Sequence, residues 1–69
     1  MRVIDTHGSS LIKDAAYDED AQELVLVFKS GARWAYSLDP AGADEFESAA
    51  SKGQHFLQSI KGQAQERRL

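Results

Sequence analysis

The chain has 69 residues, no cysteine, and eight Lys/Arg against eleven Asp/Glu, for a net charge of −3. A single domain of this length buries only about 60% of its unfolded surface, and the absence of thiols excludes disulfides and thiolate metal sites and fits a reducing, cytoplasmic setting. The charge balance repels nucleic acid at long range, so an RNA role requires a local basic patch; no run of about 18 apolar residues is present for a membrane span, and the first residues lack the apolar core of a signal peptide.

Residues 1–10 read as a flexible N-terminus, because His7-Gly8-Ser9-Ser10 is a turn-type cluster and an unanchored terminus frays. Residues 11–62 read as the folded domain. Its first strand runs from Leu11 to Tyr17, with Ile12 and Ala16 on one side and Ala15 and Tyr17 on the other under simple alternation. Asp18-Glu19-Asp20 is an acidic turn without the alternating ligands, central glycine and distal glutamate of a calcium loop.

The stretch from Glu23 to Leu38 organises the rest. Two β-rich runs flank Ser30-Gly31, which predicts a hairpin. A two-residue loop would put Val27 opposite Trp34. A three-residue loop, Lys29-Ser30-Gly31 with Gly31 left-handed, instead places Leu24, Leu26, Phe28, Trp34, Tyr36 and Leu38 on one face. The second register keeps the apolar set together, and glycine is the residue that takes φ > 0 without cost.

Asp39-Pro40 then opens a helix, with Asp39 as N-cap and Pro40 in the first turn. Asp44, Glu45 and Glu47 fall in its early turns, where the dipole favours negative charge. Phe46, Ala49 and Ala50 form its buried stripe, and Gly53 is expected to cap its C-terminus. A second short helix is expected over residues 54–61, placing Phe56, Leu57 and Ile60 on one face, and Gly62 ends it. Residues 63–69 read as a flexible polar tail. The expected fold is α+β: a three-stranded antiparallel meander followed by two short helices packed on one face.

Little in the chain suggests chemistry. His7 and His55 are far apart in sequence and supply no three- or four-ligand metal set. No serine lies in a Gly-x-Ser-x-Gly elbow, and the glycines are too dispersed to cradle a phosphate. The expectation is therefore no enzyme, no metal and no cofactor. Trp34 and Tyr36 have the chemistry to stack bases, but the preferred register assigns both to the core. Lys29 and Arg33 flank the hairpin loop; with Lys52 and Lys61 they are the candidate phosphate-binding residues.

Several pieces together resemble the KTSC domain, a family named for the C-terminal extension of some lysyl-tRNA synthetases and found also as a stand-alone protein. They are Ser9-Ser10-x-Ile12, Tyr17-Asp18, Leu24-x-Leu26-x-Phe28-x-Ser30-Gly31, Trp34-x-Tyr36, Pro40, and Ala49-x-Ser51-Lys52-Gly53-x-x-Phe56-x-x-x-Ile60-Lys61. The motif residues carried over are Tyr17, Phe28, Gly31, Trp34, Tyr36, Ser51, Gly53 and Phe56. Three positions depart from the family: Trp34 replaces a tyrosine, Leu57 stands where asparagine is usual, and Asp39 stands where valine is usual. The resemblance implies a small binding module associated with tRNA. The alternative is a protein-interaction or self-association module, since an incomplete sheet offers edges that accept a strand.

Overall fold

The computed structural model describes residues 1–69. Five strands form one antiparallel sheet in the order β1-β2-β3-β4-β5: β1 Arg2–Ile4, β2 Ile12–Asp18, β3 Glu23–Phe28, β4 Arg33–Ser37 and β5 Glu66–Arg68. Between β4 and β5 the chain makes α1, Pro40–Ser48, then α2, Lys52–His55, which continues as a π-helical segment, Phe56–Ile60. The α+β expectation holds, with five strands rather than three. The two additional strands come from the stretches expected to be flexible, 1–10 and 63–69. Each is three residues long and pairs with the nearest edge of the central sheet.

The β3–β4 hairpin has the expected register. Leu24 faces Tyr36 and Leu26 faces Trp34, and Gly31 sits at φ +95° in a three-residue loop. Phe28 N–H donates to the Ala32 carbonyl and Gly31 N–H to the Phe28 carbonyl, which closes the loop. Strand β2 corrects the alternation argument. Ile12 pairs with Phe28 but Asp14 pairs with Val27, so Lys13 is an extra residue in a β-bulge. The bulge puts Ile12 on the same face as Ala15 and Tyr17, not Ala16, and all three are buried. The Thr6 hydroxyl donates to the Lys13 carbonyl at 2.8 Å, which gives the bulged residue a partner.

One face of the sheet carries the core. Ile4, Ala15 and Leu26 lie in one cross-strand row, and Tyr17, Leu24 and Tyr36 in the next. Ala43 and Phe46 of α1, with Phe56 and Ile60, cover them. Phe56 stands between Phe28 and Tyr36, with ring centroids 5.3 and 5.0 Å away in tilted and edge-on contact. Such pairs add about 0.5–1.5 kcal/mol beyond their buried area. Phe28, Trp34 and Leu38 border this core half-buried.

Asp39 caps α1 as expected, its carboxylate accepting from Gly42 N–H at 2.8 Å. A Cβ on Gly42 would lie 2.9 Å from the Leu38 side chain, so the missing side chain lets the helix start close against the strand end. Tyr17 Oη donates to the Leu38 carbonyl at 2.6 Å and ties β2 to that corner. Burial, then the nearby Asp39 carboxylate, raise the Tyr17 phenol above its ordinary pKa; Arg2 opposes them. Other helix expectations change. No acidic residue lies in the first turn of α1. Asp44 and Glu47 instead face Arg2, at 3.2 and 3.7 Å, and the Arg2 guanidinium lies 5.5 Å above the Tyr17 ring. Ala49 is half-buried and Ala50 exposed, because α1 stops at Ser48. Gly53 does not cap α1 but lies inside α2, whose N-cap is Ser51.

Candidate functional site

The opposite sheet face offers no stacking platform. Val3, Ala16, Val25, Ala35 and Arg67 form its central row. Arg67 reaches across β4 to Glu23 in a two-point pair at 2.9 and 3.3 Å. That hydrogen bond raises the Arg67 pKa further, so the guanidinium stays charged. Trp34 and Tyr36 are on the core side, as the register argument required. Burial, with Glu66 close by, raises the Tyr36 phenol.

A groove of about 650 Å³ lies instead between the β1–β2 loop and the start of α2, walled by residues 6–11 on one side and by residues 50–54 with Leu57 on the other. It joins two separated pieces of the sequence pattern, Ser9-Ser10 and Ser51-Lys52-Gly53. Each wall is held by a serine. Ser9 Oγ accepts from Leu11 N–H at 3.3 Å and Ile12 N–H at 3.0 Å, which fixes the loop as it enters β2. Ser51 Oγ accepts from Gln54 N–H at 3.3 Å and starts α2. At Gly53 the walls approach closely: a Cβ there would stand 3.4 Å from Leu11 Cβ and 3.5 Å from Ser9 Oγ. The serines are used as acceptors, so their O–H protons are left for a ligand.

The groove is electrostatically unlike the rest of the chain. Its walls contain no Asp or Glu, although the chain has eleven. They carry Lys52, whose Nζ lies 3.5 Å from the Ala49 carbonyl, and His7, whose backbone N–H donates to Asp5. Four hydroxyls, from Thr6, Ser9, Ser10 and Ser51, and the Gln54 carboxamide complete the polar lining. This arrangement suits an anion with several hydrogen-bond acceptors.

Of the four candidate cationic residues, Lys52 alone lines the groove. Lys29 is tied to its edge, since Lys29 N–H donates to the Leu11 carbonyl at 2.9 Å. Arg33 is exposed on the other sheet face, in register with Val27. Lys61 is exposed at the end of the π segment, outside the lining. His55 packs against Phe46, ring centroids 6.1 Å apart, between the two helices. The other motif residues serve the architecture: Tyr17 holds the α1 corner, Gly31 the hairpin, and Phe28, Tyr36 and Phe56 the aromatic cluster. The groove itself was missed in the sequence, although the segments that build its walls, Ser9-Ser10 and Ser51-Lys52-Gly53, were both visible there. No His/Asp/Glu group is placed to hold a metal ion, and no helix is long and apolar enough to cross a membrane.

Comparison with known proteins gives this arrangement a family. The crystal structure of a KTSC domain protein from Yersinia pestis matches with a TM-score of 0.86 over 94% of this chain and 93% of that one, at 30% identity. A lysine–tRNA ligase of Nostoc punctiforme is 39% identical over 54 residues, which is 77% of this chain and 10% of the ligase, so the chain spans about a tenth of the length of that curated relative. The family model for the KTSC domain matches residues 8–63, from the glycine of the groove loop to just past the helical layer. The chain belongs to the KTSC domain family.

Proposed function

We propose that this chain is a small, non-catalytic, cytoplasmic binding module for RNA, with the groove as its contact surface. The observation that carries the reading is charge: in a chain of net −3, the groove is lined by no carboxylate and presents a lysine, a histidine and the hydroxyls of Ser9, Ser10 and Ser51. Phosphate oxygens are the ligand atoms such a lining satisfies. The similarity to a segment of a lysine–tRNA ligase supports RNA over other polyanions. The non-catalytic part is supported by the serines, whose oxygens are held as acceptors by backbone N–H groups, the geometry of a cap rather than of an activated nucleophile.

Titration with tRNA and with single-stranded RNA at about 50 mM salt tests the reading. The expected result is weak binding whose log K falls as log salt rises, with Lys52→Gln lowering the slope by about 0.7–1 unit. No binding under those conditions overturns it. The protein-interaction reading then stands, favoured by the edge strand β1, where Val3 is 81% exposed next to Met1 at 77%.

A further inference from the structure

We infer that the groove takes an unpaired nucleotide of RNA and discriminates against duplex; this deepens the RNA reading above and rests on it. The groove has an apolar strip beside its polar lining, made by Leu11, Ala50 and Leu57. Leu57 is 54% exposed. The other large exposed apolar side chains, Met1, Val3 and Leu69, lie on or beside the edge strands, so Leu57 is the one on the helical layer. Phe56 and Ile60 are buried, whereas Leu57 does not share their face as its spacing suggested: successive side chains of a helical turn point in different directions, and Leu57 lines the groove.

A leucine beside a lysine and hydroxyls matches a ligand with an apolar surface next to an anion. A duplex does not present that pair, because its bases are stacked inside and its outer surface is sugar and phosphate. An unpaired nucleotide does, since its splayed base exposes a flat apolar face one sugar away from its phosphate. The charge layout agrees. Lys52 lines the groove, whereas Lys29, Arg33 and Lys61 are outside the lining, with Arg33 on the opposite sheet face. With one Lys/Arg in its lining, the groove meets few phosphates of the long backbone of a duplex. The sheet aromatics are taken up by the core, so base contact is confined to the groove and to very few nucleotides. One or two neutralised phosphates give a shallow salt dependence, with a slope of about −0.7 to −1.4.

The experiment compares one labelled oligoribonucleotide as a single strand and annealed to its complement, at about 50 mM salt, with the full chain and with Leu57→Gln. The single strand is expected to bind about tenfold tighter than the duplex. Leu57→Gln should weaken single-strand binding about three- to tenfold, leave duplex binding unchanged and leave the circular dichroism spectrum native, because an exposed side chain is being replaced. Equal or tighter duplex binding overturns the inference and leaves the RNA reading intact, as does a Leu57→Gln variant with unaltered single-strand affinity. Binding of neither form overturns the RNA reading, and the inference with it.

Discussion

The aromatic cluster and the groove are built from the same sequence pattern and use it differently. Around Phe56, every motif side chain is consumed internally: Phe28 and Tyr36 by ring contacts, and Tyr17 at the neighbouring corner by the Leu38 carbonyl. At the groove, Ser9 and Ser51 also serve the fold, but through their oxygen lone pairs, Lys52 makes only one long contact to the Ala49 carbonyl, and Leu57 is exposed. A shared motif is therefore not by itself a site. The residues to test for binding are those whose chemistry the scaffold leaves free.

Substitutions test that contrast. The largest effect is expected at Phe56. Phe56→Ala should cost about 3–5 kcal/mol, enough to unfold much of a domain whose total stability is of that order. Denaturant unfolding followed by Trp34 fluorescence reads it, and near-native stability would mean that the helical layer is not held by the cluster. Gly31→Ala should cost about 1 kcal/mol or more, since alanine is strained at φ +95°; an unchanged midpoint would remove the left-handed turn from the account of the hairpin. Ser51→Ala should cost about 0.5–2 kcal/mol through the lost α2 cap, and Ser51→Asp, which can still accept from Gln54 N–H, should recover most of it.

A pH experiment separates the cluster from the groove. Both tyrosine phenols are raised in the fold, chiefly by burial. The unfolded chain therefore releases its phenol protons first. Stability from this source is full below about pH 10, the ordinary tyrosine value, and is lost as pH climbs through the raised folded values. The melting temperature should fall more steeply above that point in the wild type than in Tyr17→Phe, which itself forfeits about 0.5–1.5 kcal/mol with the Leu38 hydrogen bond. The smallest stability effect belongs to the groove: Lys52→Gln should change the unfolding midpoint by no more than about 0.5 kcal/mol while weakening any RNA binding. A large loss of stability would place Lys52 with the scaffold.

The parts governed by local rules were legible in the residues alone. Alternation along Glu23–Leu38 with one glycine decided the hairpin register, and Asp39-Pro40 decided where α1 begins. The core aromatics followed from the face they shared. Tertiary structure decided what depends on partners distant in the chain. Strands β1 and β5 are three residues each, too short to read as strands until a sheet edge accepts their backbone groups. The bulge at Lys13 reverses the side-chain alternation of β2, and no local composition rule marks it; Thr6 and the β3 register hold it in place. Gly53 looked like the end of one helix because glycine often is, but Ser51 caps a new helix first and Gly53 lies inside it, beside Leu11. The groove has the same origin. Ser9-Ser10 and Ser51-Lys52 are some forty positions apart in sequence, and only the closure of the helical layer over the sheet makes them opposite walls of one site.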